Sequence, residues 1–576
     1  MESTYIISDC PQFDKIAEQL HIKTISFQAH KNEMGFHDWL TREFKNKDIR
    51  KIIIPLSLRN NETEGLLLGL HIRLNYELPI EKRVIPLIFL SNLSLENIIT
   101  KCSFDEDSNP QILLITNGVS ISSTDIEEIV EKLEDTKSLK IEEYPLFLKI
   151  LSINRKSIAG HHDIANAWGC YKLGQIVGFE MSHPLNHGKL SQLYTKLLIC
   201  KNNAYKESHM KFTYIESIKC QGKRILFIDD KADEGWGSLM QYIFKSAGVD
   251  FTYVDPSPYK NSENNCFTDF DGFIAECKSH IGKRWDLIII DLRLNPNAED
   301  MDANSISPIK LSGFELIDLF LNENKGYPIM VFTASNKIWN VDAAMKRGAI
   351  SYYIKESPEF NHSISETRSQ FDKFQQNVYN SFNRAYLQDI FSDIRTIKKT
   401  LSSDDLGDSI AKQLDLAFFL ITKAETDEQF AFAYISLYQI VEIITEKLII
   451  KIQSPSDSDA YNWELPNGSL IHDYKWDDEN KSYTDIGEAK TTVKGTFPQW
   501  KKMAGLIFQQ WDIDNGGQLV FDLYYLIEKR NGFIHNDKSI IDKQDIHSKK
   551  YLHHDIFNKS GFQKLFNCLK IICSYL

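Results

Sequence analysis

The sequence predicts a multidomain chain in which α/β domains with doubly wound parallel sheets precede an all-α region. Four apolar runs in the middle of the chain carry this prediction: 224–230, 286–291, 328–333 and 350–355. Each run has the Ile- and Leu-rich composition of a strand that is buried on both faces, as strands of parallel sheets are. Strands that alternate with helical segments indicate a parallel sheet covered by helices.

A polar residue ends each of these runs. Asp229 and Asp230 end the first, Asp291 the second, Thr333 the third and Lys355 the fourth. Ligands of open α/β sheets bind outside the carboxyl ends of the strands. We therefore expect one acidic pocket that contains a lone lysine.

The chemistry expected of this pocket is phosphoryl transfer. Asp229, Asp230 and Asp291 can together hold Mg²⁺, which takes oxygen ligands and shares its shell with phosphate. Asp291 can act as a carboxylate nucleophile and form an acyl phosphate. Thr333 can hydrogen-bond a phosphoryl oxygen, and Lys355 supplies a compact positive charge against it.

The acid pair, the single acid, the hydroxyl and the lysine, in this order, resemble the receiver domain of two-component response regulators. The resemblance covers about 222–360, within a predicted domain of 221–360. It implies a flavodoxin-like fold and phosphorylation of Asp291 by a partner histidine kinase or phosphotransfer protein. It also implies that Tyr352, shortly before the lysine, turns inward on phosphorylation.

Two stretches depart from the receiver pattern. An Asn-, Asp- and Ser-rich insertion occupies 295–307, and an extra loop is expected at 259–265. Neither removes a residue of the predicted pocket, although either could change how a partner docks.

A second strand-helix alternation is predicted for residues 1–148. Its apolar runs align in outline with those of the receiver-like domain: Tyr5–Asp9 with Leu226–Asp230, Lys51–Leu58 with Leu287–Leu294, and Ile85–Ser91 with Tyr327–Thr333. The alignment puts Pro55 at the acceptor position and keeps only Asp9 of the acid pair, and no lysine is evident near Leu113–Thr116. A receiver-like domain that lost its pocket and a generic α/β domain both remain open. Both predict a non-catalytic regulatory or interaction role.

Residues 149–220 are predicted to form a helical connector. The adjacent His161, His162 and Asp163 suggest a metal site, to which His183 and His187 could contribute. Side chains at successive helix positions do not face each other, so packed or capping histidines are favoured over shared ligation.

Composition limits the possible functions. The 576 residues carry a net charge of −13, which argues against a large non-specific DNA-binding surface. No apolar run is long enough to span a bilayer, and the start lacks a secretory signal pattern. The nine cysteines form no CxxC pair, which favours reduced thiols and a cytoplasmic location. No glycine-rich nucleotide loop is present, so we expect no self-phosphorylation from ATP.

The last part of the sequence predicts a connecting helix at 361–404 and a helical bundle at 405–576. Arg530, Asn531 and His535 lie within Glu528–Asn536. This spacing resembles the RxxxxH motif of HEPN domains, which are helical bundles that often act as metal-independent ribonucleases. Glu442 resembles the acidic residue that these domains often place on an earlier helix. The resemblance implies an RNA substrate and a homodimer that brings two motifs together.

The residue types suit RNA cleavage, because RNA carries its own nucleophile in the 2′-hydroxyl. His535 can serve as general acid or base near neutral pH. Arg530 can bind the phosphate through its planar donors, and Asn531 could orient either group.

The sequence thus predicts a response regulator whose phosphorylation on Asp291 controls a ribonuclease, in a setting such as stress or phage defence. The alternative is a non-enzymatic signalling adaptor in which the helical bundle mediates protein contacts and His535 is structural.

Overall fold

The computed structural model describes residues 3–27, 33–58, 63–101, 108–153, 161–179, 191–204, 214–261, 266–295, 311–334, 338–357, 364–454, 459–477, 482–492, 497–534 and 556–576. Over these residues, no helix has both the length and the apolar character needed to cross a membrane. The chain divides into two compact units. The first holds Met1–Glu323 and Pro328–Asn383, and the second holds Asn324–Tyr327 and Arg384–Leu576.

A parallel five-stranded sheet in the order β2-β1-β3-β4-β5 forms the N-terminal domain. Its strands are β1 (Thr4–Ser8), β2 (Lys23–Ser26), β3 (Lys51–Pro55), β4 (Leu87–Leu90) and β5 (Val119–Ser122). Its helices are α1 (Pro11–Leu20), α2 (Glu33–Asn46), α3 (Glu64–Arg73), α4 (Ile80–Arg83), α5 (Leu95–Lys101), α6 (Ile126–Asp135) and α7 (Tyr144–Ile150). Neighbouring side chains of β3 enter different cores because strand side chains alternate between faces. Ile52 and Ile54 lie in one hydrophobic cluster, and Ile53 lies in the other.

The last strand of this domain differs from the sequence alignment. The apolar residues 112–115 do not form it, because Pro110–Ile115 is a 3₁₀ helix that buries Leu113 and Leu114. The strand is instead the less apolar β5, which follows Gly118. As an edge strand it buries little, so its hydrophobic signal in the sequence is weak.

Two helices of the predicted connector are described, α8 (His161–Val177) and α9 (Leu193–Ala204). Most of the described side chains of α8 are buried, among them Trp168, Cys170 and Leu173.

A second parallel five-stranded sheet follows, in the order β10-β9-β8-β6-β7. Its strands are β6 (Arg224–Ile228), β7 (Asp250–Tyr253), β8 (Leu287–Ile290), β9 (Ile329–Thr333) and β10 (Ser351–Ile354). Its helices are α10 (Trp236–Ile243), α11 (Phe270–Lys278), α12 (Ser312–Glu323), α13 (Ile338–Arg347) and α14 (Ile364–Arg384). Both sheets have the 2-1-3-4-5 strand order of flavodoxin-like folds. The fold class predicted for the two α/β domains is confirmed.

The predicted connecting helix is divided. α14 ends at Arg384, and α15 (Leu387–Thr400) begins after Ala385 and Tyr386. The two helices bury their apolar faces in different cores. Phe371, Phe374 and Val378 of α14 belong to the core of the second sheet, whereas Ile390 and Ile394 of α15 belong to the core of the second unit.

Helices build most of the second unit. After α15 they are α16 (Asp405–Ile421), α17 (Asp427–Leu448), α18 (Gln499–Gly505), which continues as a π-helical turn over Leu506–Gln510, α19 (Gly516–Ile534) and α20 (Lys559–Cys573). α17 starts at a capping box in which Thr426 and Gln429 satisfy each other's backbone amides. The predicted apolar helices are present, with their apolar faces in one core.

Strands occur within and just before the polar stretch 454–495, where the sequence predicted none. β11 (Ile450–Gln453), β12 (Ala460–Glu464) and β15 (Thr491–Thr492) form one small antiparallel sheet, and β13 (His472–Asp477) and β14 (Ser482–Glu488) form a hairpin. β14 is mostly exposed, and β12 and β13 bury only a few side chains, among them Ala460, Asn462 and Tyr474. With so few buried apolar side chains, these short strands carry no regular apolar alternation that would predict them.

Candidate functional site

Asp229 and Asp230 follow β6 directly and lie at the carboxyl edge of the second sheet. The Oδ1 atom of Asp229 accepts a hydrogen bond from the backbone N–H of Lys231 at 2.9 Å, which turns the chain out of the strand. Gly235 then adopts a φ of 109°, a conformation that glycine tolerates best, and α10 begins. The turn leaves both carboxylates buried, with Asp229 0% exposed.

Asp291 follows β8 at the same edge. Its backbone N–H donates to the carbonyl of Ile228 at 2.9 Å, and its Oδ1 accepts from the N–H of Arg293 at 3.2 Å. A Cβ atom at Gly313 would lie 2.3 Å from the carbonyl oxygen of Asp291. Glycine at position 313 is therefore required for α12 to pass this close to the acid.

Lys355 follows β10 and reaches across the edge to the acids. Its Nζ atom lies 2.7 Å from Asp291 Oδ2 and 2.8 Å from Asp229 Oδ2. The rings of Trp236 and Phe332 flank the ammonium, with centroids at 5.2 and 5.1 Å. The lysine is 1% exposed, so these contacts are made away from water.

The electrostatics of the pocket favour positive charge. Burial raises the pKa of Asp229 to about 6, and it raises the pKa of Asp230 well above its usual range. Burial alone would lower the pKa of Lys355, but the carboxylates of Asp229, Asp291 and Asp230 outweigh it and raise that pKa. The ammonium of Lys355 contacts two of the three carboxylates, and a cation would relieve the repulsion that remains among them.

Asp229, Asp230 and Asp291 could hold a metal ion. Each offers one carboxylate oxygen, and these oxygens lie within 4.8 Å of one another. A set of oxygen ligands with excess negative charge fits a hard divalent cation such as Mg²⁺. The predicted magnesium site is therefore chemically suitable.

Thr333 and Tyr352 are placed differently with respect to the pocket. Thr333 ends β9, is buried, and its carbonyl accepts a hydrogen bond from the backbone N–H of Lys355 at 2.7 Å. Tyr352 lies on β10 with 45% of its surface exposed, while the next residue, Tyr353, is buried. The inward rotation of Tyr352 stays a prediction.

A residue in contact with the pocket also comes from outside the predicted receiver domain, 221–360. Asn166 lies on α8, is 5% exposed, and its Oδ1 accepts a hydrogen bond from Lys355 Nζ at 2.6 Å. Sequence reasoning noticed the segment around it for its histidines and missed the asparagine. The residues considered there for metal ligation lie outside the described side chains: His161, His162, Asp163, His183 and His187.

Two further lysines lie beside the acid pair and were also missed. Lys231 Nζ lies 3.1 Å from Glu234 Oε1 and 3.8 Å from Asp230 Oδ2. Lys260 Nζ lies 2.8 Å from Asp233 Oδ1 and donates to the carbonyl of Asp230. The one available signal was the position of Lys260 in the expected extra loop, 259–265.

Glu356, the residue after the pocket lysine, predicts a pH-dependent stability. Burial raises its pKa from 4.5 to about 7, and Lys172 and a hydrogen bond from Thr367 at 2.9 Å only partly oppose this. The folded chain keeps the proton to about pH 7, whereas the unfolded chain loses it near 4.5. The difference between the two pKa values stabilises the folded chain. This stabilisation is complete below the unfolded pKa of Glu356 and is lost as the pH rises through its folded pKa.

The Glu356→Gln variant should therefore gain stability relative to wild type as the pH rises from about 4.5 to 8, by at most about 3 kcal/mol. Urea unfolding of both proteins at several pH values measures the difference, in which the titration of the other carboxyls cancels. If the difference in free energy of unfolding between the two proteins is the same at every pH in this range, the raised pKa of Glu356 is contradicted.

The N-terminal sheet lacks the corresponding chemistry. Its β1–β3 register, extended from Thr4 opposite Lys51, puts Ser8 beside Pro55. The β6–β8 register, extended in the same way, puts Asp229 beside Asp291. At the described positions after β5, the chain has Ser123 and Thr124 in place of a lysine. No acceptor carboxylate stands at the position of Pro55.

In the second unit, the structure brings Arg530 and Glu442 together. Arg530 Nη2 lies 3.2 Å from Glu442 Oε1, and the guanidinium carbon lies 4.2 Å from the ring centroid of Tyr438. His535 and the side chain of Asn531 lie outside the described part of the chain. The described half of the predicted site is thus an arginine held between a carboxylate and an aromatic ring.

Comparison with known proteins identifies the N-terminal domain. Residues 9–121 match the family described as iREC, Inactive Receiver domain. This supports the interpretation of a receiver-like domain that lost its pocket, rather than a generic α/β domain. Over residues 9–121, the N-terminal domain is thus similar to inactive receiver domains.

Comparison of whole chains adds little. No curated protein matches the chain significantly. Among solved structures, it is similar to the crystal structure of a protein assigned as a two-component system response regulator/GGDEF domain protein. That similarity covers 66% of this chain and 99% of the other, at 11% identity and a TM-score of 0.17, which is too low to support an argument.

Proposed function

We propose that the second α/β domain is a phosphoryl-accepting receiver and that Asp291 is its nucleophile. The observation that carries the proposal is the position of Lys355. Its ammonium contacts both Asp291 and Asp229 inside a buried edge that holds three carboxylates. A nucleophilic carboxylate, two further acids and a positive charge beside them are the groups that transfer to an aspartate requires.

In the proposed reaction, a carboxylate oxygen of Asp291 attacks the phosphorus of a phosphohistidine on a histidine kinase or phosphotransfer protein. The new oxygen–phosphorus bond forms as the nitrogen–phosphorus bond breaks, and the donor imidazole keeps the electron pair and takes a proton. Asp229, Asp230 and Asp291 would hold a divalent cation, which would neutralise charge on the phosphoryl oxygens. Lys355 then pairs with a phosphoryl oxygen, and the Thr333 hydroxyl donates to another.

Mass spectrometry of the full chain tests this proposal. The protein is incubated with Mg²⁺ and acetyl phosphate, a small donor that needs no cognate kinase, and then digested at low temperature. The expected result is the mass gain of one phosphoryl group, in the peptide that contains Asp291 and lost on mild alkaline treatment. No gain in wild type and Asn166→Ala alike, or a gain mapped to another residue, would overturn the proposal.

We further propose that the second unit cleaves RNA at Arg530 and His535 and that phosphorylation of Asp291 controls this activity. The specific support is the Arg530 environment. Glu442 and Tyr438 hold the guanidinium in a fixed position, with donors that could bind a phosphodiester. A paired copy of the chain, as the HEPN resemblance implies, would bring two such motifs together around one RNA.

Substitution of His535 by alanine is expected to reduce cleavage of total cellular RNA by at least about a hundredfold, because general acid–base catalysis is lost. Arg530→Ala should have a similar effect through loss of the phosphate contact. His472→Ala is the matched control, since His472 is paired with Asp485 at 2.6 Å on the β13–β14 hairpin, away from the motif in sequence.

The adaptor alternative predicts that the protein does not cleave RNA. If wild type and all three variants leave RNA intact in both the presence and absence of beryllofluoride, the ribonuclease proposal fails. A change of assembly caused by beryllofluoride would then favour an adaptor whose helical unit mediates protein contacts.

A further inference from the structure

Lys355 already contacts three side-chain oxygens before any phosphoryl group arrives, two of them through hydrogen bonds and one as an ion pair. Its ammonium has three donors, and three oxygens lie within 2.8 Å of it, from Asp291, Asp229 and Asn166. The shortest of these contacts, at 2.6 Å, is the one to Asn166. A phosphoryl oxygen that pairs with Lys355 therefore competes with these contacts.

The helix that carries Asn166 lies directly against the pocket. A Cβ atom at Gly169 would lie 3.2 Å from both the backbone N and O of Glu356 and 3.3 Å from the ring of Trp236. The backbone of α8 thus contacts the residue next to the pocket lysine and the aromatic ring that flanks it. The pocket acids have almost no exposed surface in this arrangement.

On its other side, α8 is tied to α9. The buried Lys172 donates to Asn202 Oδ1 at 2.9 Å, and Trp168 packs with Leu198 and Ile199. α9 in turn joins the inactive receiver domain. Its Leu193, Leu197 and Cys200 belong to the core of that domain, and Lys196 Nζ lies 2.9 Å from His71 Nδ1. A continuous set of buried contacts therefore connects the inactive domain to Asn166.

We propose that α8 is a resident lid on the Asp291 pocket and that Asn166 competes with the incoming phosphoryl group for Lys355. This inference rests on the proposed receiver function. Of the three acceptors, the neutral amide of Asn166 is the one displaced, because the carboxylates bind the ammonium more strongly. The inactive receiver, through α9, holds the lid in place and so sets how readily the pocket accepts phosphate.

Titration of the full chain with beryllofluoride in excess Mg²⁺, followed by calorimetry, tests the competition. In Asn166→Ala, one donor of Lys355 is left for the ligand, and binding should tighten roughly tenfold. In Asn166→Asp, a stronger competitor and a fourth negative charge should weaken binding by at least about tenfold. Gln175→Ala, which removes another amide from α8, is the matched control and should leave the affinity unchanged.

Binding of Mg²⁺ alone separates competition from structural damage, because Asn166 is not among the three carboxylates that would hold the cation. The alanine variant should bind Mg²⁺ as wild type does. If that variant does not fold, Asn166→Ser provides the same comparison, since its hydroxyl is too short to replace the amide.

Equal or weaker beryllofluoride binding by the folded alanine or serine variant would overturn the lid while leaving the receiver function intact. If neither wild type nor any variant binds beryllofluoride, both the lid and the receiver function are overturned. If beryllofluoride binds only the Asn166→Ala or Asn166→Ser variant, both the lid and the receiver function are supported. Asn166 then weakens binding by more than the roughly tenfold expected above.

Discussion

Replacing Lys355 with methionine is expected to lower the free energy of unfolding of the first unit by about 3–5 kcal/mol at neutral pH. The methionine keeps the volume of the side chain but removes the charge that Asp291 and Asp229 share at 2.7 and 2.8 Å. Both carboxylates are then buried without the ammonium that balances their charge. The cost of such an uncompensated charge exceeds what the ion pair itself contributes in the wild-type protein.

The size of this loss should depend on pH and on metal. Burial already raises the pKa of Asp229 to about 6, and loss of the lysine raises it further. The variant therefore takes up a proton more readily, and its deficit should shrink as the pH falls from about 8 to 5. Added Mg²⁺ should recover part of the deficit at high pH, because it supplies positive charge at the same carboxylates.

Urea unfolding, with and without Mg²⁺, measures this effect. Lys346→Met is the matched control, since Lys346 pairs with Asp342 at 2.6 Å on the exposed face of α13 and a surface ion pair contributes little. A deficit that is equal in the two variants, or one that is independent of pH, would show that the buried charge balance is not what stabilises the pocket.

Replacing Asp291 with asparagine is expected to slow phosphoryl uptake from acetyl phosphate at least about a thousandfold, because the amide cannot form an acyl phosphate. The fold should survive, since asparagine has the same shape and Lys355 keeps its contact with Asp229 at 2.8 Å. The loss is therefore one of chemistry and not of structure.

Asp286→Asn is the control for this experiment. Asp286 is also a buried carboxylate, but it immediately precedes β8, at the opposite end of the strand from Asp291, where it accepts from the backbone N–H of Arg224 at 3.0 Å. Its variant should take up phosphate at the wild-type rate. A similar loss in both variants would mean that damage to β8, and not removal of the nucleophile, explains the result.

The second sheet was predictable because its signals are local. Each of β6, β8, β9 and β10 is a short apolar run whose composition alone predicts a buried strand, and each predicted pocket residue stands at the end of its own run. The doubly wound topology then brings Asp229, Asp291 and Lys355 to one edge without any further information from the sequence.

Asn166 could not be predicted in this way. It is 189 residues from Lys355 in sequence, and nothing in the residues around it indicates which strand end it contacts. The strands between 450 and 492 were missed for a different reason, since short strands that bury few apolar side chains show no apolar alternation. Local pattern thus gives the elements and the residues at their ends, whereas contacts between distant elements require the folded structure.

The most direct single measurement is fluorine NMR of beryllofluoride bound to the full chain in the presence of Mg²⁺. Phosphoryl acceptance at Asp291 predicts bound fluorine resonances for wild type and Asp286→Asn, and none for Asp291→Asn or without Mg²⁺. Bound resonances that persist in Asp291→Asn, or their absence from wild type and Asn166→Ala alike, would contradict it.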